Sequence, residues 1–429
     1  MTRIVLAALA AIASATAALA QGAPPPVADR DIVDAYEYML GRWLVLRQEA
    51  LDLKDGLKWN EVTHREPGGV AWANPNLDVA YSEAWIYVDE TSCTLVDLPP
   101  IKGRYYTVQV LNGWGEVTAN INERTFPRHP SGLFALCLKG VKLKLPAGAQ
   151  RVELPNPKSR VLMRIELGAN PAEAIALQKK ITMKATGAPK VAAAVATFDF
   201  PNDKLPGAEG FDRTEAILAS EPDINGGMME PQRQAREVAK AAADPAQRAH
   251  VDEVIRKRAI PVFMSEIVKM GRVTNNWIRP RIIGNYRGDY LMRTIANFTG
   301  IWANNAREVV YFAGQGIDGR RTFTQTFPAD ALPATKARYF WSVVAVDAVK
   351  FQVVPNPLNR YLLNKQSALE MNDDGSLTLA FGPKQPAGIA EANWLPTPDG
   401  KTYNLTYRFY GPSKDVTDGA WYPPPLVRK

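Results

Sequence analysis

"NPNLDVAY" (residues 74–81) and "NNAREVVY" (residues 304–311) decide the fold, because Asn74, Asp78 and Tyr81 match Asn304, Glu308 and Tyr311 at the same spacing. A second match follows each. "YYTVQVLN" (105–112) lies against "FWSVVAVD" (340–347) as aromatic, aromatic, hydroxyl, Val, any, apolar, apolar, Asn or Asp. Two matches in the same order imply a tandem duplication, and the β-branched and aromatic runs around them make the repeated unit a β module. A carboxylate repeated in both copies reads more economically as a cap on backbone N–H groups than as an acid catalyst, although both readings of Asp78 stay open.

Working outward, the period of two holds from about residue 69 to 164 in "EAWIYVDE", "CTLVDLP", "RYYTVQVL" and "RVLMRIEL". It returns after Arg307 in "EVVYFA", "RTFTQTF", "RYFWSVVAVD", "SLTLAF" and "YNLTYRFYG". Ahead of the first module, "DIVDAYEYMLGRWLVLRQEALDL" carries Ile32, Ala35, Tyr36, Met39, Leu40, Trp43 and Leu44 at helical spacing. Between the modules, "NPAEAIALQKKITMKA", "DRTEAILAS", "MEPQRQAREVAKAAAD", "PAQRAHVDEVIRKRAIPVFMSEIVKM" and "GDYLMRTIANFTGIWANN" read as helices. The fold class is therefore α+β, with two antiparallel β-sandwich modules separated by a helical region and preceded by a helix. At 429 residues the chain exceeds one hydrophobic core. The expected divisions are a signal peptide at 1–20, a tether and helix at 21–60, a first β module at 61–170, a helical middle at 171–303 and a second β module at 304–429.

The leader "MTRIVLAALAAIASATAALAQGAPPP" has one early base, Arg3, a short Ala-rich apolar run and a small-x-small site ending at Ala20. It predicts export to the periplasm or medium. No later run is long enough to span a bilayer, and no stable membrane anchor is expected. Loss of Arg3 takes the formal charge from +7 to +6, and the basic residues are dispersed, so nucleic acid is not an expected partner. The two cysteines, Cys93 and Cys137, suggest a disulfide worth about 3 to 4 kcal/mol in an oxidising compartment, with two buried thiols as the alternative.

Chemistry is thinly signalled. His64, His129 and His250 have no metal-ligand spacing, and no Gly-rich nucleotide loop follows a strand. A His-based zinc site, a Ser-His-Asp triad and a nucleotide cofactor are thus disfavoured, and neither metal nor cofactor is expected. Carboxylates, amides, arginines and aromatics remain, an inventory suited to cleaving or binding glycans.

"PNLDVAYS", "GRYYTVQVLNGWGEVTANINERT" and the "LQKKI" segment resemble the bacterial domain of unknown function numbered 1254. "RYFWSVVAVD", "VPNPLNRY", "NDDGSLTLAF", "NWLPTPDG" and "NLTYRFYGP" with "DGAWYPPPL" resemble its usual C-terminal companion, numbered 1214. The resemblance implies two jelly-roll-like sandwiches around a helical region in a secreted bacterial protein. This chain departs from the first family at Val79 and Asn112, where relatives usually carry Thr and Asp.

The candidate catalytic pair is Asp78 and Glu116. In the first module Arg104, Asn112 and Trp114 are candidate binding residues, since the glycines of "NGWGEV" let an aromatic and an acid sit at a strand end; a plain hairpin turn is the competing reading. In the second module "VVPNPLNRY" fixes Asn356, Asn359 and Arg360 between prolines, with Asp347 and Trp394 as possible companions; an Arg360–Asp347 pair locking the loop competes. Two functions stay open: a carboxylate-based hydrolase acting on glycans or glycoconjugates, and a non-catalytic scaffold binding a glycan, lipid or protein. The Ala- and Arg-rich helices could also pair copies into a homo-oligomer.

Overall fold

The computed structural model describes residues 27–69 and 73–429, so the expected signal peptide and the start of the tether lie outside the described residues. Alternation along Val79–Tyr87 sends Ala84 and Ile86 to one face and Trp85 to the other. The strand pairs with Lys158–Glu166, which pairs with Tyr106–Leu111 and through it with Val117–Ile121, while Thr63–His64 lies on the outer edge. A second sheet of Gln150–Leu154, Gly132–Leu138, Thr94–Leu98 and Thr182–Ala185 closes over the first. Ile86, Val96, Val108, Phe134, Val161 and Met163 fill the space between.

The second module repeats this plan. Val309–Asp318, Thr402–Pro412, Ala337–Asp347 and Leu362–Asn364 stand in the order of their counterparts, and a four-stranded sheet packs behind them. The register repeats as well. Arg164 lies opposite Tyr81 and Thr107, and Arg408 lies opposite Tyr311 and Ser342. Strands within the sheets pair antiparallel except at one place in each rear sheet, where Gly132–Leu138 with Gln150–Leu154 and Leu377–Gly382 with Trp394–Pro396 run parallel; an isolated bridge from Trp59 to Trp85 is parallel as well.

Between the modules sits a helical body. The helix Asp29–Lys54 spans roughly 39 Å at 1.5 Å per residue and buries Ile32, Tyr36, Met39, Trp43 and Leu44 against Met229–Ala243 and Tyr290–Gly300. Two of its buried acids are satisfied by the first module: Lys158 Nζ donates to both Glu49 oxygens at 2.8 and 2.9 Å, and Trp85 Nε1 donates to Asp52 at 2.9 Å. The helices Pro245–Val254 and Ile260–Ile267 join through a wider turn at Ile255–Ala259, just before Pro261, which has no N–H to give.

Two segments within the expected helical middle are strands. "ITMKA" continues past the helix Pro171–Gln178 as Thr182–Ala185, which pairs with Thr94–Leu98, because Ile181 and Met183 alternate into the core while Thr182 and Lys184 face out. "GRVTNNWIRP" is a hairpin of Gly271–Thr274 and Trp277–Pro280. Asn275 and Asn276 both adopt left-handed φ, as a tight two-residue turn requires. Cys93 and Cys137 are disulfide-bonded, with Cα atoms 4.5 Å apart across neighbouring strands. Among the described residues no helix is long and apolar enough to cross a membrane.

The modules hold each other reciprocally. Glu308, just before its strand in the second module, accepts from Asn122 at 3.1 Å, Tyr105 Oη at 2.8 Å and Arg124 Nη2 at 2.5 Å, all in the first. Asp78, at the matching place in the first, accepts from Asn364 Nδ2 of the second at 2.7 Å. Glu308→Gln should therefore lower stability by about 2 kcal/mol, since Arg124 keeps only Glu123 at 2.8 Å as a carboxylate partner. Urea denaturation checks this, and an unchanged midpoint would mean that the buried pair does not contribute to holding the modules together.

Candidate functional site

Of the residues picked out from sequence, most are fastened into local structure. Asn112 Oδ1 accepts from the N–H groups of Trp114 and Glu116 at 2.9 and 3.0 Å, folding "NGWGEV" into a hairpin turn driven into the helical body. Gly115 has φ of +81°, and a side chain there would strike Asn297. Trp114 is not an exposed sugar platform. It is fully buried, its indole donates to the Glu221 carbonyl at 3.0 Å, and the Arg293 guanidinium lies 4.4 Å from its ring centre. Glu116 is equally buried, accepting from Asn225 at 2.8 Å with Arg293 at 3.7 Å.

Asp78 is buried at the module interface and shares no partner with Glu116, so the two acids are not assembled into one cleft. Burial holds the Asp78 carboxyl above its ordinary range, against the pull of Asn364, the neighbouring Ser342 hydroxyl and the more distant Arg408. Arg104 clamps the carbonyls of Glu166 and Leu167 and pairs with Glu173. In the second module Asp347 caps the N–H groups of Val349 and Lys350, and Asn356 ties Leu358 and Arg360 into a turn. Asn359, with φ of +49°, accepts from the Tyr361 hydroxyl. Arg360 does lock this loop, but its partner is Glu391 at 3.1 Å, together with the Trp394 carbonyl at 3.0 Å, and not Asp347. Trp394 donates its indole N–H to Gly382.

A chamber of about 120 Å³ lies elsewhere, where the two front sheets meet the helix Tyr290–Gly300. Each module contributes the same polar row to its wall: Tyr81 and Arg164 from the first, Tyr311 and Arg408 from the second. Asn76 adds an amide that donates to the Tyr410 hydroxyl at 2.9 Å. The opposite wall is apolar, made by Met270, Ile283, Met292, Ile295 and Ala296. Past Tyr81, Arg164 and Trp302 it adjoins an outer chamber of about 660 Å³, which reaches the surface beside Leu51 and Lys54.

The charges of the two chambers differ. In the outer one Arg65 pairs with Asp55 at 2.7 Å and Glu83 at 3.3 Å, and Glu83 also pairs with Arg160 at 2.8 Å. Among the described residues no carboxylate lines the inner one, and neither Arg164 nor Arg408 has an ion-pair partner. Arg164 is 5% exposed; it donates to Gln109 Oε1 and, at 3.1 Å, to the Trp302 carbonyl, while its Nε makes no hydrogen bond. Arg408, 3% exposed, donates to the Asn74 carbonyl at 2.5 Å. The Tyr81 ring lies 5.4 Å below Arg164.

Sequence reasoning missed both arginines. The available signal was an Arg at an alternate position of a strand buried along all nine residues, Lys158–Glu166, where an unpaired cation needs a reason. The chamber offers donors, hydroxyls and an apolar wall, but no carboxylate placed to act as a general acid or base.

Residues 309–414 match the family model described as a protein of unknown function, DUF1214, and residues 59–185 match the one described as DUF1254. The curated proteins include no match to the chain. Among solved structures, the VPA0106 protein from Vibrio parahaemolyticus is similar over 94% of this chain and 100% of its own, with a TM-score of 0.61 at 18% identity, a likeness of fold. An uncharacterized protein from Burkholderia cenocepacia aligns over 92% of this chain and 88% of its own, with a TM-score of 0.47 at 12% identity.

Asp78→Asn should leave the Asn364 contact in place and remove a pH-dependent cost. With the folded-state value raised, the contribution of Asp78 to stability is full below the ordinary carboxylate range and is lost as pH rises through the folded value. The variant should therefore gain on the wild type in urea midpoint from pH 4 to pH 8. A gap that stays constant with pH would show that the buried carboxyl does not titrate there.

Proposed function

We propose, for a chain that joins a DUF1254 region to a DUF1214 region in that order, an exported binding protein that buries a small organic molecule between its two modules. The observation that carries this reading is the inner chamber itself, walled by matching residues of both modules and by one helix. A volume of about 120 Å³ is somewhat below the ~150 Å³ that holds benzene, so a guest of that size or larger extends past Tyr81 and Arg164 toward the adjoining outer chamber. The leader sequence and the disulfide support export.

The glycan-hydrolase reading finds less support. It asks for two carboxylates facing one cleft beside an accessible aromatic ring. Asp78 and Glu116 are buried apart, and Trp114 is closed off by Tyr38 and Arg293. Met270, Met292 and Ile295 also suit an apolar body better than a sugar, whose hydroxyls would go unpartnered there.

Thermal denaturation of the mature protein with a panel of small polar and apolar organic molecules tests the proposal. A ligand present at one hundred times its Kd should add about 2.7 kcal/mol of stability. Filling the chamber with Ala296→Phe, or from the strand side with Ala313→Leu, should abolish that gain while leaving a cooperative transition. A panel with no member whose effect these variants remove would overturn the reading.

A further inference from the structure

Building on that reading of the chamber as a binding site, we infer that its ligand is a small carboxylate with an apolar body, the carboxylate being held by Arg164 and Arg408. The charge count comes first. Among the described residues two guanidinium groups line the inner chamber and no carboxylate does. Most other buried or partly buried cations have acids: Lys158 has Glu49, Arg160 has Glu83 and Asp52, Arg293 has Asp223, and Arg124 has Glu308. Arg42 has no ion pair among the described residues, but its guanidinium donates to the Gly113 carbonyl and the Ser220 hydroxyl within the packed helical body. Arg164 and Arg408 also lack an ion pair, and unlike Arg42 they line a chamber, at corresponding strand positions, one in each module.

Burying a cation without an anion is costly, and here the desolvation is met by neutral groups, the Gln109 amide, the Trp302 carbonyl and the Tyr81 ring face for Arg164 and the Asn74 carbonyl for Arg408. The Arg164 Nε has no acceptor at all. An incoming anion supplies both the missing charge and the missing acceptor. A planar carboxylate suits the guanidinium fork, and the hydroxyls of Tyr81 and Tyr311 are further donors in the same wall. The rest of the molecule meets Met270, Met292 and Ile295, which offer no hydrogen bonds. An apolar body on the carboxylate is thus selected over a bare inorganic anion.

Calorimetric titration of the full mature chain with benzoate, benzyl alcohol and inorganic phosphate tests this. Benzoate should bind one to one, at least tenfold more tightly than either of the others. Arg408→Gln and Arg164→Lys should each weaken benzoate at least tenfold while leaving any benzyl alcohol binding within twofold, and thermal denaturation of each variant verifies its fold. Equal binding of benzyl alcohol and benzoate, both lost in Ala296→Phe, would overturn the carboxylate assignment and leave the chamber reading standing. Phosphate binding as tightly as benzoate would overturn the requirement for an apolar body. Benzoate binding indifferent to both arginine variants, or no binding by any of the three probes, would overturn the inference outright. In the last case the filled-chamber variants with the wider panel decide the fate of the chamber itself.

Discussion

A buried carboxylate needs donors, and in this protein the two that open the front sheets find theirs in the opposite module. Glu308 depends on Tyr105, Asn122 and Arg124, and Asp78 depends on Asn364. The equivalence extends to the turn beyond: Asn122 Oδ1 accepts from the N–H groups of Arg124 and Thr125, and Asn364 Oδ1 from those of Gln366 and Ser367. Each asparagine is fixed by its own turn before it donates across the interface. The relation of the sheets is therefore specified by groups that would otherwise be buried without partners. The aromatic cluster of Tyr105, Tyr339, Phe340 and Tyr410 adds area to that interface, but it is these directional bonds that fix the register of one module against the other.

The helical body uses the same device. Trp114 and its turn leave the first module and enter the helices' core, where Glu221 accepts from Gly113 N–H at 3.0 Å and Arg42 donates to the Gly113 carbonyl at 2.5 Å. Val344, Val346 and Phe351 reach the same core from the second module. Helices, first module and second module consequently bury one another's apolar and polar groups, and the inner chamber is what remains where the three meet.

The strands were legible because the period of two and the paired cassettes are local properties of the chain. The equivalence of Thr107 with Ser342 could be read from "YYTVQVLN" and "FWSVVAVD" alone. The site was less legible. Asp78 and Trp114 look like surface chemistry in sequence, since acids and glycines near turns usually face solvent; only the opposite module and the helical body bury them. Arg360 was legible as a lock but not its partner, because Glu391 lies 31 residues away in a segment with no pattern linking the two. The strand Thr182–Ala185 and the hairpin at 271–280 were hidden for a related reason: each is too short to show a period of its own, and each is stabilised by a neighbouring strand.

The duplicated frame is not symmetric at its two interface carboxylates. The position that carries Arg124 beside Glu308 is occupied, in the matching turn, by Gln366. Glu308 thus has a cation of its own, whereas Asp78 receives only a neutral amide from Asn364 and sits near Ser342. Without a close cation, burial dominates at Asp78 and pushes its carboxyl toward the neutral form. Arg408 lies beyond ion-pairing distance from Asp78, and its pull on that carboxyl is smaller than the effect of burial. The exchange of Arg for Gln at one turn therefore makes the two interface carboxylates unequal: Glu308 meets a cation, and Asp78 meets an amide and is held above its ordinary range by burial.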